Sequence, residues 1–101
     1  MRTSKQQINQ YLEKELLKTL YQTIADFRKP EEVEEFLNSF LSKAERLALA
    51  KRIAVAYWLD KGRGYSNIKE NLKVSSATIA HMQSRLKNSK GIEMTLQKIK
   101  A

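Results

Sequence analysis

The stretch KVSSATIAHMQSRLK, residues 73–87, reads as a tight turn that leads into an amphipathic helix. Ser75 suits the N-cap position, because its hydroxyl can accept a hydrogen bond from a free N–H of the first turn. Val74 and Ile79 flank that cap at the spacing of a hydrophobic staple, so the two are expected to pack together. Apolar residues then recur at helical spacing and predict one buried face, made of Ile79, Met82 and Leu86.

A short helix is predicted immediately before this turn. Gly62 and Gly64 end the preceding long helix, and the predicted short helix from Ser66 to Leu72 places Ile68 and Leu72 on one face. A short helix, a turn of a few residues and a second amphipathic helix form a helix-turn-helix, whose second helix enters the major groove of DNA. Residues 64–87 are therefore predicted to be a helix-turn-helix.

The second helix of this unit carries small and polar side chains outside its apolar face. Hydroxyl groups can exchange hydrogen bonds with base edges, and methyl groups can contact a thymine methyl. Free N–H groups and basic side chains near the helix start can bind phosphate. The candidate base contacts are Ser76, Ala77, Thr78, Ala80 and His81. The candidate phosphate contacts are Lys69, Lys73, Ser75, Arg85 and Lys87.

Positive charge is concentrated in the same part of the chain. The formal net charge is +8, of which residues 1–40 contribute −1, residues 41–90 contribute +8 and residues 91–101 contribute +1. A concentrated positive surface attracts polyanions and speeds their encounter with the protein. The alternative is a solvated surface that serves only solubility. Together with the helix-turn-helix pattern, the charge favours double-stranded DNA as the partner.

The rest of the chain is also helical, which predicts an all-α fold of six helices in one domain of 101 residues. Apolar residues recur every three or four positions from Ile8 to Phe27, and Pro30 suits the first turn of a second helix whose predicted buried face is Val33, Phe36, Leu37 and Phe40. The segments are residues 1–41 for dimerisation, 42–62 for a central helix, 64–87 for the helix-turn-helix and 91–101 for a C-terminal helix.

Local signals set the predicted ends of these helices. Ser4 with Gln7, and Ser42 with Glu45, have the spacing of a capping box. The first helix is expected to end near Arg28. The acidic cluster at residues 31–35 is expected to stabilise the second helix through the helix dipole rather than to act as paired carboxylates. Leu49, Ile53, Ala56 and Tyr57 mark the apolar side of the central helix.

The composition argues against several other classes of protein. The chain has no cysteine and one histidine, so it has no thiolate or paired-histidine ligands for a metal and no cysteine nucleophile. No Gly-rich phosphate loop is present, and His81 has no neighbouring carboxylate in sequence to orient it for catalysis. No apolar run approaches the length of a membrane span. The sequence thus predicts a cytoplasmic protein that is not an enzyme and needs no metal.

The segment from residue 41 to residue 87 resembles the tryptophan repressor superfamily. The matching positions are Leu41, Ser42, Glu45, Arg46, Ala48, Leu49, Arg52, Ala77, Thr78 and Ile79. The resemblance is closer to the repressor-like branch, which shares the fold but has no established response to tryptophan. It implies an intertwined homodimer whose two recognition helices meet successive major grooves about 34 Å apart. A near-palindromic operator and a role as a transcriptional repressor would follow.

The same resemblance allows the tryptophan-binding site of the family to be compared with this sequence. Two arginines enclose the tryptophan co-repressor in the family; the first aligns with Arg52, and the second aligns with His81. The glycine that follows aligns with Met82, whose side chain would crowd the ligand. A neutral imidazole also cannot replace a bidentate guanidinium on a carboxylate, so tryptophan is not expected as co-repressor. The residues of a possible effector pocket are Ser42, Arg46, Arg52 and His81.

Several alternatives stay open on the sequence alone. His81 can be a groove or phosphate contact, a partly packed surface residue or a ligand contact. Tyr57 and Trp58 can be core or dimer-interface aromatics, or a platform for stacked bases. The protein can be a DNA-binding module for a replication or transposition partner, or a dimeric protein-interaction module with a basic surface.

Overall fold

The structure is a computed structural model that describes residues 7–100. This range contains six α-helices and no strand, which confirms the all-α prediction. The helices are α1 (Gln10–Asp26), α2 (Pro30–Phe40), α3 (Lys43–Asp60), α4 (Tyr65–Leu72), α5 (Ser76–Leu86) and α6 (Lys90–Lys100). The chain divides into two compact units, and the second unit begins at Leu41.

In the first unit, helix α1 begins later than the sequence suggested. Asn9 is its N-cap, and the Asn9 side-chain oxygen accepts a hydrogen bond of 2.8 Å from the backbone N–H of Leu12. Ser4 of the expected capping box lies outside the described residues. The helix ends at Asp26, two residues before the expected end at Arg28. No residue of α1 is buried within the single chain.

Helix α2 begins at Pro30 as predicted, and one glutamate of the acidic cluster has a clear structural role. The Glu32 carboxylate accepts hydrogen bonds from the backbone N–H groups of Arg28 and Lys29, at 3.1 and 3.3 Å. Glu31 and Glu32 lie in the first turn, where negative charge is stabilised by the helix dipole.

Three phenylalanines pack in a row along this first unit. The ring centroids of Phe27 and Phe36 are 5.2 Å apart, and those of Phe36 and Phe40 are 5.3 Å apart. Val33, Phe36 and Leu37 are half-buried, whereas Phe40 is 75% exposed. The prediction of a buried Phe40 is therefore wrong for the single chain, because helical spacing shows which side is apolar and not what covers it.

In the second unit, helices α3 to α6 surround one hydrophobic core. Helix α3 starts with the predicted capping box, in which Ser42 and Glu45 each bond the backbone N–H of the other at 2.9–3.1 Å. The buried core residues come from all four helices: Val55, Ala56, Ile68, Ile79, Met82 and Leu96. Burying Ile79 and Met82 fixes which side of α5 faces outward.

The predicted apolar side of α3 is buried at Ala56 and half-buried at Tyr57, but not at Leu49 and Ile53. Leu49 and Ile53 remain 46% and 38% exposed, while Val55 is fully buried. Helices α4, α5 and α6 bury only the C-terminal half of α3, where Val55 and Ala56 lie. Residues that lie at helical spacing from Leu49 therefore need not be buried in the core.

Candidate nucleic-acid interface

The turn between α4 and α5 consists of Lys73, Val74 and Ser75. Lys73 has the left-handed conformation, with φ 55° and ψ 50°, and its N–H bonds the carbonyl of Lys69 at 3.0 Å. This conformation ends α4 within one residue. Val74 packs against the core that contains Ile79, in agreement with the predicted staple. Residues 65–86 therefore form the predicted helix-turn-helix.

Ser75 caps α5 in the predicted manner. Its hydroxyl oxygen accepts a hydrogen bond of 3.1 Å from the backbone N–H of Thr78, and the two hydroxyl oxygens lie 3.0 Å apart. One of these two hydroxyls donates to the other, which leaves the second hydroxyl hydrogen for an outside partner. The start of α5 thus presents a hydroxyl donor beside its free backbone N–H groups.

Four of the five candidate base contacts share one exposed side of α5. Ser76, Ala77, Ala80 and His81 are exposed, whereas Thr78 is half-buried. Residues three and four positions apart lie on the same helical face, so the exposed four form a continuous strip. Three of the four side chains extend no further than a hydroxyl or a methyl group, which lets the helix backbone approach a groove floor closely.

The candidate phosphate contacts fall into two groups. Lys69, Lys73 and Ser75 lie around the turn, and the Lys69 ammonium donates a hydrogen bond of 3.1 Å to the Ser76 hydroxyl. Arg85 and Lys87 lie at the other end of α5, about 15 Å away at the rise of an α-helix. All five are exposed, so each is accessible to a phosphate.

Lys51 on α3 belongs to the same surface and was missed by the sequence analysis. Its ammonium nitrogen lies 3.4 Å from the carbonyl oxygen of Lys73, to which it donates a long hydrogen bond. The two residues are 22 positions apart in sequence, and no local motif links them. Only the packing of α3 against the turn reveals the contact.

The residues of the possible effector pocket are brought together in part. Arg52 and His81 line one cavity of about 430 Å³, together with Met82 and Arg85. Ser42 and Arg46 do not line this cavity. Ser42 is engaged in the capping box, and the Arg46 guanidinium donates a hydrogen bond of 2.6 Å to the Leu41 carbonyl.

The two aromatic residues near the end of α3 are partly buried against the core. The Arg63 guanidinium lies 4.0 Å from the centroid of the Trp58 ring, and the Lys61 ammonium lies 5.4 Å from that of Tyr57. Each ring therefore has a cation over one face, which favours the structural interpretation over an open platform for stacked bases.

Comparison with known proteins agrees with this geometry. The family model described as Trp repressor protein matches residues 15–100. No curated protein and no solved structure matches the chain significantly. None of the helices described between residues 7 and 100 has the length and hydrophobicity needed to cross a bilayer. Because the match spans most of the chain and the whole helix-turn-helix, the chain belongs to the Trp repressor family of DNA-binding helix-turn-helix regulators, which are not enzymes.

Proposed function

We propose that this protein is a sequence-specific transcriptional repressor that acts in the cytoplasm as a homodimer on a near-palindromic operator. The arrangement of α5 carries the proposal. Ile79 and Met82 anchor the helix in the core, while its opposite side presents the exposed strip of small and polar side chains to solvent. A rigidly held helix with an accessible, small-residue start fits the major groove.

The side chains of this surface divide into two roles. Ser76, Ala77, Thr78, Ala80 and His81 read base edges. Lys69, Lys73, Ser75, Arg85 and Lys87 bind the backbone on either side and fix the register of α5. Phosphate contacts of this kind supply affinity without sequence information, whereas base contacts supply the discrimination between sites.

The homodimer is supported by the apolar face of α1. Its large side chains are 41–79% exposed in the single chain: Tyr11, Leu12, Leu16, Leu17, Leu20, Tyr21 and Ile24. Contiguous exposed apolar surface of this extent marks an interaction site. Homodimers are the commonest closed assembly, and two-fold symmetry would present two α5 helices to successive major grooves.

The repressor is proposed to work without tryptophan as co-repressor. Arg52 and His81 do share a cavity, but Met82 lines it as well. The Met82 side chain occupies space that a glycine would leave to a ligand. The His81 imidazole also cannot present the two parallel N–H donors with which a guanidinium binds a carboxylate.

Selection of bound duplexes from a random DNA pool, with and without tryptophan, tests this proposal. The expected product is a motif with two-fold symmetry that is the same in both selections. Enrichment of a motif only with tryptophan would contradict the co-repressor statement. An asymmetric motif would favour a module that serves a replication or transposition partner, and no binding at low salt would favour a protein-interaction module.

A further inference from the structure

A second groove lies between α3 and the start of α5; it shares Arg52 with the cavity that contains His81 and is otherwise lined by different residues. Its volume is about 390 Å³. The polar side chains that line it are Lys51 and Arg52 from α3, Lys73 from the turn, and Ser75 and Thr78 from the cap of α5. Three structural elements thus direct polar groups to one place.

The groove has an uncompensated positive charge. Three of its lining residues are cationic, and none of its lining residues is acidic. Among the residues that the structure describes, the one ion pair joins Lys100 to Asp60 and leaves Lys51, Arg52 and Lys73 without a carboxylate partner. Like charges held in one groove repel each other, and an anion between them would relieve that repulsion.

The hydrogen-bonding groups of the groove have capacity left for such an anion. Lys51 uses one of its three N–H donors in the long bond to the Lys73 carbonyl. Ser75 and Thr78 share one hydroxyl hydrogen bond, which leaves one hydroxyl hydrogen free to donate. These donors belong to α3 and to the cap of α5, and a phosphate has enough acceptor oxygens to accept hydrogen bonds from both.

We propose that this groove binds a phosphate group and that Lys51 is a phosphate-binding residue of the protein. The phosphate has two possible sources, the backbone of bound DNA or a phosphate free in solution. Binding of the DNA backbone in this groove rests on the proposed function, whereas binding of free phosphate does not.

The test uses the Lys51→Met variant of the full chain, which removes the charge and keeps an apolar stem. Lys51→Arg keeps the charge, and Lys98→Met removes the charge of an exposed lysine on α6. The first measurement follows the backbone amide resonances of residues 75–78 during titration with inorganic phosphate. The second measures the salt dependence of the dissociation constant for a random-sequence DNA duplex.

We expect phosphate to move these resonances in the wild type and more weakly in Lys51→Met. We also expect the log–log salt slope of DNA binding to fall by about 0.9 in Lys51→Met, with Lys51→Arg close to wild type. Because the loss of any positive charge can lower the slope slightly through the long-range field, the reference is Lys98→Met, whose change should be much smaller.

Each outcome decides the proposal. A reduced slope, with or without the phosphate response, identifies the DNA backbone as the source. A phosphate response that depends on Lys51, with an unchanged slope, identifies a free phosphate. If Lys51→Met matches Lys98→Met in both measurements, the proposal is wrong. Failure of the wild type to bind DNA would contradict the proposed function alone, because the phosphate titration still tests the groove.

Discussion

The ammonium group of Lys69 on α4 donates a hydrogen bond to the hydroxyl of Ser76 at the first position of α5, over 3.1 Å. This contact joins the two helices of the helix-turn-helix beside the start of the recognition helix. It also keeps a positive charge at the edge of the surface that is proposed to face DNA.

Lys69→Met is expected to weaken binding to preferred and random DNA by the same factor. The reason is that a phosphate contact carries no sequence information. The salt slope should also fall by about 0.9. Fluorescence anisotropy at several salt concentrations measures both effects, with Lys14→Met on α1 as the charge-matched control. A loss confined to the preferred site would show that Lys69 acts through the position of Ser76.

Thr78→Val should affect sequence discrimination instead. Valine keeps the shape of threonine and leaves the backbone N–H bond to Ser75 in place, but it removes the hydroxyl. We expect a loss of about 1–3 kcal/mol of binding free energy on the preferred site and little change on random DNA. Competition binding with both duplexes measures the difference. An equal loss on random DNA would contradict a base-reading role.

Substitutions of the cap residue Ser75 distinguish its contribution to stability from its contribution to DNA binding. Ser75→Ala should lower the free energy of unfolding by about 1 kcal/mol, since it leaves the Thr78 N–H without its acceptor. Ser75→Asp should retain the stability, because a carboxylate also caps a helix, yet it should weaken DNA binding by charge repulsion. Denaturant unfolding and DNA titration of both variants measure this. Ser75→Asp with wild-type DNA affinity would argue against phosphate near the cap.

Substitutions of Lys73 also distinguish stability from DNA binding, because its φ of 55° lies in the left-handed region. Lys73→Gly should fold within about 1 kcal/mol of wild type, since relief of the backbone strain offsets the greater entropy of the unfolded glycine. Lys73→Val should be less stable than wild type by about 1 kcal/mol or more. Both should bind DNA more weakly. Equal stability of the two variants in denaturant unfolding would contradict the left-handed turn.

The capping box of α3 predicts a pH dependence of stability. The hydrogen bonds from the backbone N–H and the side chain of Ser42 hold the pKa of Glu45 below its ordinary value of 4.5. A carboxylate with a lowered folded-state pKa stabilises the fold above its unfolded-state pKa, and this contribution disappears as the pH falls through the folded-state value. On acidification below about pH 4.5, the wild type should therefore lose more stability than Glu45→Gln. Thermal unfolding from pH 7 to pH 3 measures the difference, and parallel curves for the two proteins would contradict it.

Local signals in the sequence predicted much of this architecture. The caps at Ser42 and Ser75 and the start at Pro30 were confirmed because each depends on residues within one helical turn. Helix α4 begins at Tyr65, one residue before the predicted Ser66, since Gly64 occupies the N-cap without a side chain to mark it.

What the sequence could not predict depends on packing between distant segments. Lys51 reaches Lys73 only because α3 passes beside the turn. Val55 is buried and Leu49 exposed because only the C-terminal half of α3 is covered by the later helices. Periodicity identifies an apolar side, but it does not say which neighbour covers it, as Phe40 also shows.

The exposed strip of α5 is proposed to be the surface that reads DNA. The most direct test is a backbone amide chemical-shift map of the protein with a duplex recovered from the random pool. We expect the largest changes at residues 69–81, around the turn and the start of α5, with smaller changes at Arg85 and Lys87. Changes confined to α1 and α2, with residues 69–81 unaffected, would contradict it.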